Sequence, residues 1–302
     1  MIEEMGGDFL QWLRGFFFVA KTGSVTLAAS EMGRNQPTIS HQIKCLESEF
    51  GVTLFDRSRG KMDLTPEGKV FLDKAISLFE IIKEMKSEIG ESLLAHSGKV
   101  TIATTHAIIH YFLPGLIVQF KKKHPGVSFE LEGGGLNMIL EKLVSAEADF
   151  GIANFKTVPD TLVYYDLFET KLNLIAQRDN PFSLKKKPTL AQISKAPFIF
   201  FPRSSTITPM IEEKFTEHAL TLNVIMVLNN FEDVKKYVAL GMGVSILDAY
   251  TLTEEDRGRF DIFSLDRFFS LRKYGLVMRK KKYLSPAVKA FIRSVKGDIQ
   301  FK

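Results

Sequence analysis

Residues 65 to 94 set the tightest limit on what this chain can fold into. Within them Phe71, Ala75, Leu78, Ile82, Met85 and Ile89 recur at alternating spacings of four and three. On a helix turning about 100° per residue that spacing gathers all six into one seam. Thr65 suits the N-cap and Pro66 the first helical position, where proline's missing amide would have had no partner anyway. At about 1.5 Å per residue such a helix spans roughly 45 Å. A lone helix with one apolar stripe is marginal in water and needs a surface against that stripe. The surface can be the core of the same chain or a second copy. The charged remainder, Asp73, Lys74, Lys83, Glu84, Lys86 and Glu88, favours a second copy and a coiled-coil dimer.

On the N-terminal side of this helix the pattern is short and helical. Phe9 to Lys21 is rich in apolar residues, Ser24 can cap a second helix through Met32, and Gly33 ends it. A third helix follows, capped by Asn35, with Gln36 and Pro37 in its first turn. Its geometry puts Ile39, Ile43, Leu46 and Phe50 in one narrow buried stripe. Pro37, His41, Lys44 and Ser48 lie opposite, with Thr38 and Ser40 on the flanks. Next comes "GVTLFDRSRGKMDLT", β-branched and apolar residues about a polar turn at Ser58 to Lys61, which predicts a β-hairpin. Three helices and a hairpin make a winged helix-turn-helix over residues 1–65.

The charge distribution gives that domain a partner. The chain's net charge of +5 is mild, and residues 1–65 hold seven basic and eight acidic side chains. Residues 33–62, however, hold five basic and three acidic ones. A helix that enters the major groove of double-stranded DNA needs donors and acceptors on its outer face, which Gln36, Ser40 and His41 supply, and Pro37 and Thr38 beside them are counted with the candidate DNA-binding residues. Arg34, Lys44, Arg57, Arg59 and Lys61 can neutralise phosphates and set the register.

Beyond residue 96 the pattern changes to alternating strands and helices. "KVTIAT", "VSFELE" and "ADFGIAN" predict strands, separated by helices over Tyr111 to Lys123 and Leu136 to Ala146. "KLNLIAQ", "FIFF", "NVIMVL" and "GVSIL" continue the series around helices at Met210 to His218 and Glu232 to Leu240. The strand "YGLVMR" and a helix from Ser285 to about Val295 close it. The pattern predicts an α/β domain over 96–302 with a mostly parallel sheet. It divides into one subdomain of 98–168 and 271–302 and another of 169–270, with a ligand cleft between them. Thr104, Thr105 and His106 stand where a strand gives way to a helix, and free amides there attract a carboxylate or another oxyanion. Ser204, Ser205 and Thr206, in the loop from Arg203 to Thr208, hold the matching place in the second subdomain. Gly134 in "EGGGL" and Asn154 after "ADFGIAN" complete the candidate effector site.

The stretch "FFFVAKTGSVTLAASEMGRNQPTISHQIKCLESEFGVTLFDRSRGKMDLTPEG" resembles the N-terminal signature of the LysR-type transcriptional regulators, through Ala28-Ala29, "QPTIS" and "LFDR...LTPEG". "ALGMGVSIL" and "LSPAVKAFI" extend the likeness downstream. The resemblance implies a winged helix-turn-helix, a coiled-coil linker over 66–95, an effector domain like the periplasmic binding proteins, and a homodimer or homotetramer that meets RNA polymerase. It aligns Gln36, Pro37, Ser40 and His41 with the base-contacting segment and Arg57 with the wing arginine. His41 departs from the arginine often found at its position. "TTH" resembles the branch that controls sulfur and cysteine metabolism, although apolar Ala107 to Ile109 follow it here.

Other classes find less support. At 45% hydrophobic and 25% charged the chain is globular, and it has neither a signal-peptide pattern nor a long apolar run, which predicts a cytoplasmic protein off the membrane. No nucleophile and base stand at a recognisable spacing, so no enzyme is predicted. His106 and His110 have no third ligand, so neither a metal nor another cofactor is expected. The single Cys45 reads as a packing residue or a redox-sensitive thiol. The alternative to a DNA-binding regulator is a cytoplasmic small-molecule-binding protein with a degenerate DNA-binding domain.

Overall fold

The computed structural model describes residues 8–56, 61–90, 97–179, 182, 184, 187–297 and 299, with the backbone alone at 83, 84 and 86–90. The chain forms two compact units, 1–92 with 281–283, and 93–280 with 284–302.

In the first unit, α1 (Phe9–Thr22) ends at Gly23, whose φ of 65° is a left-handed conformation that L side chains rarely adopt. The Ser24 side chain accepts from the Leu27 amide to start α2 (Val25–Glu31), and the Asn35 side chain accepts from the Thr38 amide to start α3 (Gln36–Phe50). The wing is a short antiparallel pair, β1 (Phe55–Asp56) with β2 (Asp63–Leu64). Of its expected turn at Ser58 to Lys61, only Lys61 is among the described residues. Thr65 then caps α4 (Pro66–Gly90), accepting from the Gly68 amide at 2.9 Å. Leu13, Phe16, Val19, Ala28, Ile39, Ile43, Leu46, Leu54 and Phe55 form the core.

Two packing expectations change in this unit. Phe50 is 49% exposed rather than buried. As the last residue of α3 it meets Phe9 and Phe71 ring to ring and leaves its far face in solvent. Gln42 lies inside instead, 6% exposed, against the Cα of Gly15; a Cβ on Gly15 would stand 2.2 Å from Gln42 Oε1. The seam of α4 is also divided. Phe71 packs edge-on to Phe16 at 5.0 Å and Ala75 is buried in the same three-helix core, because the first turns of α4 cover its open side. Farther along, Leu78 and Ile82 are half-buried and Met85 is 55% exposed, while Val70 and Ile81, beside the seam, are 64% and 55% exposed.

The second unit has two lobes. In the first, β3 (Ser97–Thr104) leads through a π-helical turn (Ile108–Phe112) into α5 (Leu113–Lys123), followed by β4 (Gly126–Gly133), α6 (Leu136–Val144), β5 (Phe150–Ala153) and β6 (Leu162–Thr170). The chain crosses to the second lobe with β7 (Leu172–Gln177), α7 (Leu190–Lys195), β8 (Pro197–Phe200), α8 (Ile207–Glu217), β9 (Asn223–Val227) and α9 (Phe231–Ala239). That lobe ends with β10 (Ser245–Asp248), a 3-10 turn (Ala249–Thr251), α10 (Glu254–Arg259) and β11 (Phe260–Ser264). The chain returns as β12 (Arg272–Arg279) and closes with α11 (Pro286–Val295).

The first-lobe sheet has the order β4-β3-β5-β12-β6. β3 is parallel to β4 and β5, joined through helices, but β12 arrives from the other lobe and inserts antiparallel between β5 and β6. The second lobe holds the antiparallel sheet β10-β7-β11 and the parallel pair β8-β9. The sheets are thus mixed rather than mostly parallel. β6 and β11 are the strands the pattern did not announce. Each lobe has its own core, around Ile102, Phe150 and Phe291 in one and Ile175, Phe198 and Phe215 in the other.

Candidate functional site

Two surfaces carry polar chemistry. The first is the outer face of α3. Arg34, Gln36, Pro37, His41 and Lys44 are exposed and Ser40 half-buried, while Ile39 and Ile43 are fully buried behind them. Thr38 is committed locally, since its hydroxyl donates to Asn35 Oδ1 at 2.6 Å within the N-cap. His41 Nε2 lies 3.4 Å from Cys45 Sγ one turn on. Lys61 at the wing is exposed, whereas Arg57 and Arg59 lie outside the described residues. Glu47 is turned inward, accepting from the Leu54 amide at 2.9 Å, so the first acid of α3 serves the entry to the wing.

The second surface is the cleft between the two lobes, a cavity of about 220 Å³. Thr105, His106 and Ala107 line it from the first lobe, where a helical run begins, and Gly134 adds bare backbone. A Cβ on Gly133 would stand 2.5 Å from the His106 Nδ1, so a larger residue there would displace the His106 ring. Ser204, Ser205 and Thr206 line it from the second lobe at the start of α8. First-turn amides of two helices therefore converge from opposite sides, the arrangement that favours negative charge.

The floor is a pair that sequence reading missed. Arg272, at the first position of β12, and Asp248, at the last of β10, have side chains only 3% and 1% exposed and form an ion pair. Tyr274 donates to Asp248 Oδ2 at 3.0 Å. Arg272 Nη2 donates to Thr206 Oγ1 at 2.6 Å and to Asn154 Oδ1 at 3.4 Å, so one guanidinium ties both lobes together. Burial pushes the Asp248 carboxyl up, against the pull of Arg272 and Tyr274. The guanidinium cannot yield its proton, so the carboxylate beside it carries the countercharge. Arg272 Nε and Asp248 Oδ1 have no partner within the protein.

Of the residues predicted for the effector, Thr105, His106, Gly134, Ser204, Ser205 and Thr206 line this cavity. Asn154 contacts its floor through Arg272 and also donates to the Lys273 carbonyl at 2.6 Å. Thr104 lies elsewhere. As the last residue of β3 it is fully buried, with its hydroxyl donating to the Ile152 carbonyl across the sheet. Strand alternation explains the difference: of two neighbouring threonines only one can face the cleft. "SILDAY" and "LRKYG" carried a signal for the missed pair, a charge inside an apolar run, but nothing local joins residues 24 apart.

A winged helix with a polar, groove-compatible face and a two-lobed binding domain define a ligand-responsive DNA-binding regulator. The model for bacterial regulatory helix-turn-helix proteins of the lysR family matches residues 10–69, and that for the LysR substrate binding domain matches 95–300. The chain belongs to the LysR family of transcriptional regulators. It is 30% identical over 278 residues to the HTH-type transcriptional activator CmpR of Synechocystis sp., covering 92% of this chain and 91% of that one. It is 29% identical to the regulator CysB of Haemophilus influenzae, over 77% of this chain and 73% of CysB. A full-length OxyR variant from Pseudomonas aeruginosa superimposes with a TM-score of 0.71 at 20% identity, over 95% of this chain and 97% of that one. Full-length CbnR complexed with its target DNA superimposes with a TM-score of 0.56 at 20% identity, over 95% and 98%. The protein is a sequence-specific, ligand-responsive regulator rather than an enzyme, and its partners are double-stranded DNA and a small-molecule effector.

Proposed function

We propose that α3 reads base edges of a partly palindromic operator through Gln36, Pro37, Ser40 and His41, while Arg34, Lys44, Arg57, Arg59 and Lys61 hold phosphates and Thr38 steadies the first turn. Two copies pair along α4, where Val70, Ile81 and Met85 leave an apolar strip outward, in a homodimer or homotetramer. The two-fold sets the recognition helices on inverted half-sites. The protein acts in the cytoplasm, where operator and RNA polymerase are found. Among the described residues no helix is long and apolar enough to cross a membrane.

The effector is a small carboxylate or other oxyanion held in the cleft by Thr105, His106, Gly134, Ser204, Ser205 and Thr206, with Asn154 behind. One observation carries this: the first turns of two helices from opposite lobes, and the guanidinium that joins those lobes, meet in one cavity. A ligand gripped from both sides shifts the lobes' equilibrium only by its differential affinity for the closed form. A thermal-unfolding screen of small acids against the full-length protein and Thr206→Ala tests the site. An acid that stabilises the wild type and loses that effect in the variant supports it; equal stabilisation of both places the acid elsewhere.

A further inference from the structure

We propose that Tyr111 latches the two lobes of the effector-binding unit, its ring covering the buried Lys235 ammonium and its hydroxyl holding Glu232, so that the cleft stands closed before any ligand enters. The inference goes beyond the reading of the cleft as an oxyanion site and does not depend on it.

Two crossings join the lobes, between β6 and β7 and between β11 and β12, and lobes joined in this way can hinge. Arg272 begins β12 and so acts beside a crossing. Tyr111 and Glu232 stand instead on helical elements of opposite lobes, the π-helical turn Ile108–Phe112 and α9. In that turn the Leu113 amide bonds to the Ile108 carbonyl five residues back, one residue more than an α-helix spans. Such turns occur mostly at functional sites. This one follows directly on Thr105, His106 and Ala107 of the cavity wall, and it carries Tyr111.

The contacts that cross between the lobes here are modest, and the one that would be costly to break stays within a single lobe. Asp256 Oδ2 at 2.5 Å and the Thr251 carbonyl hold the Lys235 ammonium from its own lobe, with Glu232 3.7 Å away. The Tyr111 ring covers that ammonium at 4.4 Å, a contact that gains strength where water is excluded. The Tyr111 hydroxyl donates to Glu232 Oε1, a charge-assisted bond. Opening would break this bond and uncover the ammonium but leave the Lys235–Asp256 pair intact. No buried charge is stranded, so the motion is reversible. A binding-competent form that is already populated raises the apparent affinity of any cleft ligand in proportion, which makes Tyr111 a positioning residue that need not touch the ligand.

The test follows the distance between the lobes in the full-length protein without ligand, by double electron–electron resonance between nitroxides on Lys122→Cys and Glu213→Cys. Cys45→Ser removes the native thiol, and dilution with unlabelled protein confines the signal to distances within one chain. With the latch intact the distribution should be single and narrow. Tyr111→Phe keeps the ring but loses the hydroxyl, and it should add a second, displaced population, the closed-to-open ratio falling about tenfold as for one lost hydrogen bond to a charged group. Glu232→Leu should do the same, and the double variant no more than either, because both remove one bond. Tyr111→Leu, which also uncovers Lys235, should displace a larger share. A broad distribution with the latch intact, an unchanged one in Tyr111→Phe and Glu232→Leu, or shifts that add in the double variant overturns the latch. None of these results bears on the oxyanion reading, which the screen of small acids tests separately.

Discussion

The Lys235 ammonium lies 2.5 Å from Asp256 Oδ2 inside the second lobe, with the two side chains 2% and 5% exposed, and 4.4 Å from the ring of Tyr111 in the first. Tyr111 in turn donates to Glu232, one turn before Lys235 on α9, and burial together with that carboxylate pushes the Tyr111 hydroxyl well above the usual phenol range. The pair gives the protein a defined acid limb. Burial alone would raise the Asp256 carboxyl, but Lys235 and the Thr253 amide and hydroxyl outweigh it and hold it below 3.8. A depressed folded value means stability that is fully present above 3.8 and lost as pH falls through the lowered value. Urea unfolding of the wild type should therefore weaken more steeply below pH 3.8 than that of Asp256→Asn, which lacks the titrating group. Parallel acid limbs would dismiss the assignment.

Arg272→Met strands the buried Asp248 carboxylate. Removing one partner of such a pair costs about 3–5 kcal/mol, so the unfolding free energy of the effector-binding unit in urea titration should drop by that amount. The double variant Arg272→Met/Asp248→Leu should recover much of the loss, because neither charge is then left alone. A double variant no better than the single would show that packing, not the stranded charge, sets the cost.

Gly68 lies in the first turns of α4, where alanine would ordinarily gain about 1 kcal/mol of helix propensity. Here the added Cβ would stand 2.1 Å from the Leu54 carbonyl oxygen, a backbone atom that cannot swing aside. Overpacking of about 1–3 kcal/mol wins, so Gly68→Ala should lower the melting temperature of the DNA-binding unit. An unchanged or raised midpoint contradicts the geometry.

On DNA, His41→Ala should weaken binding to the operator more than to random duplex, because it removes a contact to base edges. Arg57→Ala should weaken both and lower the salt slope by about one unit, as expected for a lost phosphate contact. Gel-shift midpoints across a salt series separate the two, and identical slopes for wild type and Arg57→Ala would remove that arginine from the interface.

Met85, 55% exposed near the far end of α4, tests the pairing of copies. A glutamate there puts charge into the proposed helix–helix strip, and Met85→Glu should lower the oligomeric state in sedimentation at micromolar protein. An unchanged assembly would place the interface elsewhere.

Much of this protein was legible locally. Asn35, Ser24 and Thr65 each cap the helix that sequence assigns them, because a side-chain oxygen meeting an amide two or three residues on requires no distant partner. The exposed face of α3 follows from a 3.6-residue period, and six of the eight effector-site candidates line the cavity because strand-to-helix turns point where parallel topology directs them.

What local rules could not supply were choices between equivalent surfaces and meetings of distant segments. The α4 seam was readable as apolar, but only packing assigned Phe71 and Ala75 to the core of their own chain and left Met85 outside, beside the exposed Val70 and Ile81. Thr104 and Thr105 look alike until β5 takes up the hydroxyl of one. Arg272 and Asp248 come together because β12 crosses from one lobe to the other, and a burial tolerable only for a paired charge depends on that crossing. Hydrogen-bond caps and periodicity act over a few residues and are written in the chain, whereas charge pairing in a low-dielectric floor depends on the full course of the backbone.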